Sequence, residues 1–398
     1  MGTNSENTAV VGEHTTVVVV GAGVAGLTLG NFLLNSGVEC VILEKHARDY
    51  VEQRQRAGAI DGRGVRMFRE WGFDGVLEGN PVPEAGTGFW LDGEEFPMEF
   101  DDNDNRDSIF CPQQVLVRNL TDAFLRAGGD LRFEAADVSP EDIDGARPRV
   151  RYRDTTGSTH VVNCDVIAGC DGYHGVSRAS VPAGALTRYA HAYGYSWLSV
   201  LAEVPAEPLG MAIHSRGLAG MLPRGAHASR LYLQCPADDT PAQWPDERVW
   251  SEMAARFCTP VPPGRIVDKR IVPLRCVVYS PMRHGRLYLL GDAAHIVPPM
   301  SAKGLNLALY DAEVLARAII EQVRSDDASL LDSYSDTCLR HVWNYQAFAA
   351  WITELVHNAG DASYAGEFRR QTARAELVRQ FTSPAANKLF GELSAGVN

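Results

Sequence analysis

The run Val17-Val18-Val19-Val20-Gly21-Ala22-Gly23-Val24-Ala25-Gly26 constrains this chain more than any other segment. Four valines in succession suit a strand buried on both faces, because β-branched side chains fill a pleated surface. Three glycines follow at the spacing GxGxxG. The first allows a tight turn, the second lets the backbone approach a pyrophosphate, and the third lets helix pack on strand. Apolar residues at helical spacing come next (Val24, Leu27, Leu29, Phe32, Leu33), so a helix is expected over Gly23–Ser36. Val38–Leu43 reads as a second buried strand, ending at Glu44. This is a βαβ unit with parallel strands, whose helix N-terminus offers unpaired amides to an anion. Glu44 stands where a carboxylate can take a ribose 2′-hydroxyl, which suits FAD or NAD and disfavours NADP. The glycine spacing alone would be weak; with the strands, the helix and the acid around it, the segment reads as a dinucleotide site.

At 398 residues the chain can bury a sizeable core in two or three domains. A formal net charge of −13 argues against nucleic acid, whose phosphates need a basic surface. No run approaches the roughly 20 apolar residues of a bilayer-spanning helix, so no membrane partner is expected. Residues 1–14 are polar, lack the basic start and apolar core of a signal peptide, and are expected to form a flexible tail. The eight cysteines (Cys40, Cys111, Cys164, Cys170, Cys235, Cys258, Cys276 and Cys338) include no CxxC pair. They are expected to be reduced, buried thiols of a cytoplasmic protein, without disulfide or metal site.

Gly62–Glu70 and Val115–Ala127 read as amphipathic helices, and Leu131–Asp165 alternates strand-like runs with turn residues. From Pro182 to about Val272 the chain is rich in strands, prolines and small residues, Tyr193–Leu201 and Arg230–Gln234 among them. Ile271–Asp292 returns to strand patterning. Beyond Gly304 the pattern is helical nearly to the end, with a capping Asp or Ser expected before each helical stretch.

Two further motifs follow strands. Gly291-Asp292-Ala293-Ala294-His295 comes after Leu287–Leu290, and Gly304-Leu305-Asn306 then opens a helix. Taken alone, Asp292 is an N-cap at a strand-to-helix turn. Asp171-Gly172-Tyr173-His174 comes after Val166–Cys170, and an Asp-Gly pair alone is an ordinary tight turn. Their order and separation behind the first glycine turn, with Arg178 after the second motif, say more than either does singly.

In this order the three motifs resemble the FAD-binding signature of aromatic-ring hydroxylases. The chain is similar to the 4-hydroxybenzoate 3-monooxygenase-like family of FAD-dependent aromatic hydroxylases, the class A flavoprotein monooxygenases, from about Val17 to the C-terminal helices. The matching stretches are Gln55-Arg56-Ala57-Gly58, Ile167-Ala168-Gly169-Cys170-Asp171-Gly172-Tyr173-His174-Gly175, Pro273-Leu274-Arg275 and His284-Gly285-Arg286-Leu287. The longest and most specific is Gly291 through Pro299 with Ala302-Lys303-Gly304-Leu305-Asn306. The resemblance implies an α/β and α+β fold: a Rossmann-like FAD-binding domain, an inserted β-rich substrate domain and a helical C-terminal part. Residues 15–75, 106–182 and 273–325 are expected to form the discontinuous FAD domain. Residues 76–105 and 183–272 would form the substrate domain, and 326–398 the helical region.

Carried over motif by motif, FAD contacts fall on Gly21, Gly23, Gly26, Glu44, Arg56, Gln113, Asp292 and Asn306. Contacts to NADPH or NADH, the co-substrate, fall on Lys45, His46, Arg54, His174 and Arg275. Cationic and hydrogen-bonding side chains suit a phosphate-rich cofactor that binds transiently, although Lys45 and Arg54 also fit a plain solvated face. The substrate pocket falls on Arg224, Arg230, Tyr232, Leu222, Met211 and Met300. Arg224 stands where the family pairs an arginine with a substrate carboxylate, in a bidentate grip a lysine would not give. Pro299 stands where a backbone carbonyl faces the ring hydroxyl. Trp197 matches a tryptophan near the substrate domain, and packing alone would also account for it. The resemblance also allows a homodimer.

The departures concern proton transfer. Positions that carry a serine, two tyrosines, a histidine and a threonine in the family fall on Leu222, Met211 and Leu389, Glu84 and Met300. A phenol-deprotonating relay needs hydroxyls and an imidazole in line, and leucine and methionine carry no proton. Glu84 could act as a base or be merely solvated. The pocket is therefore expected to favour a ring that is already electron-rich, an aminohydroxybenzoate or hydroxybenzoate. The resemblance implies hydroxylation of such an aromatic carboxylate through a flavin hydroperoxide, with NAD(P)H and O2 consumed. Hydroxylation of 4-hydroxybenzoate itself, an FAD-dependent reductase or dehydrogenase without oxygen insertion, and a flavin-binding regulator remain as alternatives.

Overall fold

The computed structural model describes residues 13–54, 58–78, 82–83, 88–96, 108–224, 227–357 and 364–395. Strand β1 (Glu13–Val20) feeds helix α1 (Val24–Asn35), and the chain returns as β2 (Cys40–Leu43). Helix α2 (Gly62–Glu70), the short strand β3 (Phe89–Leu91) and helix α3 (Gln113–Arg126) lead to β4 (Asp130–Arg132) and β5 (Thr159–Gly169). Strands β6 (Thr187–Glu203), β7 (Gly210–Ile213), β8 (Ala219–Pro223) and β9 (Ser229–Pro236) precede helix α4 (Asp246–Phe257), the long strand β10 (Arg265–Ser280) and β11 (Leu287–Leu289). Four helices close the chain: α5 (Gly304–Ser325), α6 (Ser329–Val356), α7 (Tyr364–Thr382) and α8 (Pro384–Ala395).

Two large sheets organise these elements. The first contains the order β11-β5-β1-β2-β4, with each of these neighbour pairs parallel. Val17–Val20 lie at its centre, at most 3% exposed, as a valine run buried on both faces requires. Helix α1 is apolar nearly all round and packs between α3 and α5, so it is an interior helix rather than an amphipathic one. The glycine turn therefore sits at the carboxyl ends of parallel strands, the usual place for a nucleotide.

The second sheet has the order β10-β6-β9-β8-β7-β3 and is antiparallel except at β7–β3. Its side chains alternate between two cores, as the period of two dictates. Leu198, Val200, Leu231 and Leu233 pack with Trp250, Met253 and Phe257 of α4. Trp197, Tyr232, Met211 and Leu222 face the other way, towards Phe348 and Ile352 of α6 and Phe390 of α8. The second face carries the candidate pocket.

Three expectations need correction. The chain is already strand at Glu13 and His14, because β1 pairs with β5 from Glu13↔Val162 onward, so the expected tail is shorter. The two long helices have no side-chain cap: Lys303 precedes α5 and Ala328 precedes α6. Asp327 instead accepts the Ser329 amide at 2.8 Å, an Asx-type turn one residue upstream of the cap. The alternative reading of Asp292 as an N-cap does not hold, since it lies within a single 3-10 turn whose cap position is Leu290. The cysteines are free, six of them buried, but Cys258 is exposed at the left-handed end of α4 and Cys276 is half-buried. Among the described residues no helix is long and apolar enough to cross a membrane.

Candidate active site

The three glycines of the first motif divide by cause. Gly21 has φ +105°, and a Cβ there would lie 2.6 Å from the Cys170 carbonyl oxygen. A Cβ on Gly26 would lie 2.0 Å from the Gly21 oxygen. Packing within the protein thus requires both. A Cβ on Gly23 would meet nothing within 4 Å, so the space in front of it is left for a ligand that approaches the backbone. The first turn of α1 has neither an acidic residue nor a side-chain cap, which leaves its amides suited to a pyrophosphate. Glu44 is buried beside this turn. Its Oε2 accepts the Ala22 amide and its Oε1 the His46 amide, each at 2.9 Å. Each oxygen keeps a further lone pair for a ribose hydroxyl. This donor set fits the nucleotide half of FAD.

The other two motif turns are bound together. Arg178 donates to the Ala293 carbonyl at 2.8 Å and to the Tyr173 carbonyl, so one guanidinium spans both. Asp171 Oδ2 accepts the Ser177 amide at 2.8 Å and its hydroxyl at 3.0 Å, closing the 171–177 turn. Burial pushes the Asp171 carboxyl above the usual range. Asp292 is half-buried in the Gly291–Ala293 turn. Asn306 lines the neighbouring cavity. Its Oδ1 accepts the Asp61 amide at 3.1 Å, and its Nδ2 donates to the carbonyls of Ala59 and Ala302 at 3.2 and 3.1 Å. It fastens the start of α2 to the start of α5. Gln113 opens α3 next to Gly58, where a Cβ would lie 1.7 Å from the Cys111 oxygen. Arg56 and Glu84 lie outside the described residues.

The expected nicotinamide contacts form two groups. Arg275 lies over the Tyr173 ring at 4.2 Å, and the His174 ring is 5.0 Å from it. Arg188, which carries no motif and escaped sequence reasoning, hydrogen-bonds Tyr173 and Tyr279. Burial raises the Tyr173 phenol, but its hydrogen bonds with Arg188 and Tyr279 and the Arg275 charge bring it below its ordinary value. Lys45, His46 and Arg54 flank the short helix Arg48–Gln53, with the His46 ring 4.1 Å from Tyr50.

A cavity of about 140 Å³ lies between the second sheet and helices α6 and α8. Met211, Leu222, Arg224, Tyr232, Pro299 and Met300 all line it, together with Trp197. Arg230 does not. It is 3% exposed, one ladder step beyond Tyr232 and opposite Leu222, with Asp268 at 3.8 Å. Burial holds its pKa below the ordinary value. Leu389 is 56% exposed, and its neighbour Phe390 reaches the cavity instead. Arg224 is half-buried and donates to the Pro223 carbonyl at 3.2 Å.

Sequence reasoning also missed the polar scaffold beneath the cavity. Lys303 is 2% exposed, donates to Asp61 at 3.1 Å and to the Ser394 carbonyl, and lies 5.1 Å over the Tyr345 ring. Asp61 in turn caps α2 by accepting the Gly64 amide. The available signal was a lysine between Ala302 and Gly304, inside the most specific motif.

The model of a family described as "FAD binding domain" matches residues 14–349. A p-hydroxybenzoate hydroxylase of Acinetobacter baylyi is 36% identical over 390 residues, which are 96% of this chain and 95% of that protein. A 3-(3-hydroxy-phenyl)propionate/3-hydroxycinnamic acid hydroxylase of Mycolicibacterium smegmatis is 27% identical over 349 residues, 82% of this chain and 58% of that one. The crystal structure of a p-nitrophenol 4-monooxygenase from Pseudomonas putida superposes with a TM-score of 0.81, covering 97% of this chain and all of that one at 18% identity. This last likeness concerns the fold alone.

Proposed function

The chain belongs to the class A FAD-dependent aromatic hydroxylases, and from that membership we propose that its substrate is an electron-rich aromatic carboxylate, a hydroxybenzoate or aminohydroxybenzoate. The observation that carries the proposal is the cavity: a mainly apolar lining that also holds Arg224, Tyr232, the Asp61–Lys303 pair and the Pro299 turn. FAD, which the Gly21–Gly26 turn, Glu44 and the Gly291–Ala293 turn would hold, would supply the redox chemistry: a hydride from NAD(P)H, a proton and O2 turn the ring's C–H into C–OH and release water.

Every other role falls to the chain. Arg224 takes the carboxylate in a charge-assisted, bidentate contact. Trp197, Met211, Leu222 and Met300 exclude water from the reacting carbon. The Pro299 carbonyl accepts a hydrogen bond from the ring hydroxyl and orients it. Met211 and Leu222 offer no hydroxyl, so the ring must bring its own electron density, which favours an amino substituent. Arg275, Arg188 and His174 form the face for the nicotinamide cofactor's phosphates. A cytoplasmic location agrees with the free thiols, and a homodimer rests on the family alone.

The test is a screen of cofactor oxidation with benzoates that bear hydroxyl and amino groups. Arg224→Ala should weaken carboxylate binding about 10- to 100-fold, the loss of one charge-assisted contact, without changing FAD content. Equal affinity in the variant would remove the carboxylate assignment. Labelled O2 appearing in the product separates oxygen insertion from simple reduction.

A further inference from the structure

A second cavity, of about 280 Å³, lies on the same face of the second sheet. Phe89 of β3, Met211 of β7 and Ile352 of α6 face the substrate cavity, whereas Leu91, Ile213 and Leu355 on the same three elements face the second one. Two residues along a strand advance about 6.6 Å and return to the same face, so the cavities are consecutive compartments of one groove. Arg224 belongs to the far end. Gly220 is opposite Met211, and β8 then runs through Leu222 towards Arg224, away from Ile213. Trp197 belongs to the near end: it is opposite Gln234, four residues along β9 from the partner of Leu222, a separation of about 13 Å.

Trp197 and His357 stand between the compartments. Trp197 lines the first and His357 the second. The indole Nε1 donates to His357 Nε2 at 2.6 Å, and His357 Nδ1 lies 2.7 Å from the Thr353 carbonyl. A nitrogen that accepts carries no proton, so Nδ1 carries it and the imidazole is neutral. Burial also pushes its pKa down to about 3, which preserves the acceptor through the neutral range. Rings pack on both sides: Tyr195 stacks on His357 at 5.0 Å, and Tyr232 lies 4.6 Å from Trp197. An indole N–H buried without an acceptor is costly, so the imidazole fixes the plane of the partition.

Resting on the reading of Arg224 as the carboxylate anchor, we propose that His357 is a positioning residue that, through Trp197, sets the length of acid this enzyme accepts. A single-ring benzoate fits between Arg224 and the partition. An aryl carboxylate extended at the para position runs into the indole. The second compartment is the space such an extension would enter once the partition is opened.

The experiment uses the holoenzyme and two probes, 4-hydroxybenzoate and 4′-hydroxybiphenyl-4-carboxylate, with binding read from the perturbed flavin absorbance. Wild type should prefer the short probe at least 100-fold. Trp197→Ala and His357→Ala should narrow that ratio tenfold or more while retaining FAD. His357→Gln, which can still accept from the indole, should keep it. Adding Ile213→Trp to Trp197→Ala should restore exclusion by filling the second compartment. Should His357→Ala fail to fold, the Trp197→Ala pair decides. A ratio unchanged in FAD-loaded Trp197→Ala, with the short probe still bound, overturns the partition alone. Failure of wild type to bind the short probe overturns the carboxylate reading, and the partition with it.

Discussion

Asp311 of α5 holds the Gly291 turn: its Oδ2 accepts the Gly291 amide at 2.9 Å and contacts the His295 ring at 2.7 Å. One carboxylate therefore fixes both ends of the Gly291–His295 segment, and both side chains of the pair are at most 2% exposed. Gly291 has φ +56°, which glycine adopts without a Cβ penalty. Removing one member of a buried hydrogen-bonded pair costs about 3 kcal/mol or more. Asp311→Ala is expected to lose about that much in urea unfolding and to release FAD more readily. Asp311→Asn, which keeps an acceptor for the Gly291 amide, is expected to lose about 1 kcal/mol. A folded Asp311→Ala protein with unchanged FAD affinity would mean that other contacts hold the turn.

The glycines of the first motif can be separated experimentally. Gly26→Ala puts a methyl 2.0 Å from a backbone oxygen, so it should destabilise the apoprotein by at least about 3 kcal/mol. Gly23→Ala meets nothing within 4 Å and has φ −81°, which alanine adopts freely. The apoprotein should keep its stability to within about 0.5 kcal/mol while FAD affinity falls tenfold or more. Apoprotein melting and FAD titration read the two effects apart. Undiminished FAD affinity in Gly23→Ala would place the pyrophosphate elsewhere.

Legibility in the sequence followed the range of the interactions. The βαβ unit was plain because valine runs and glycine spacing act within 30 residues, and α2 appeared over the expected Gly62–Glu70. The pocket positions Met211, Leu222, Arg224 and Tyr232 came from motif resemblance and do line one cavity. Arg230, which the resemblance sets near the flavin, lies two residues from Tyr232 on the same strand outside the cavity lining, and no local pattern marks where a cavity ends. Leu389 misled by one residue, since a helix turns about 100° per residue and so exchanges an exposed position for the buried Phe390. Lys303 stands inside the most specific motif, but its role could not be read because its partner Asp61 is 242 residues away, nor could that of His357, 160 residues from Trp197; Asp311 is only 20 residues from Gly291, but no motif marks an acid in the body of a helix.

Lys303 and Asp61 make a second buried pair, 3% and 5% exposed in their side chains, directly beneath the cavity. The same ammonium donates to the Ser394 carbonyl and so pins the end of α8. Lys303→Met should cost about 3–5 kcal/mol, because it strands the Asp61 carboxylate. Adding Asp61→Asn should recover part of the loss, since the amide can still cap Gly64 without a charge. Limited proteolysis should cut α8 faster in the single variant than in wild type. Equal cleavage rates would separate α8 from the pair.

Two buried histidines make stability sensitive to mild acid. Burial depresses His357 to about 3, and burial followed by the Arg63 charge depresses His341 to about 4. In the unfolded chain both titrate near about 6.5. Above that pH neither state is protonated and their contribution is complete. As the pH falls from about 6.5 towards 4, the unfolded chain binds two protons that the folded chain refuses. Each removes about 1.4 kcal/mol per pH unit, and the loss from His341 stops near its folded value while that from His357 continues towards 3. Carboxylates titrate in the lower part of the same window, so the informative quantity is a difference. Between pH 6 and 4.5 the stability of His357→Gln should fall less steeply than that of wild type by about 1.4 kcal/mol per unit, in urea unfolding at fixed ionic strength. Parallel pH dependences for the two proteins would mean that His357 is protonated in the fold, and the hydrogen bond from Trp197 would then need another acceptor.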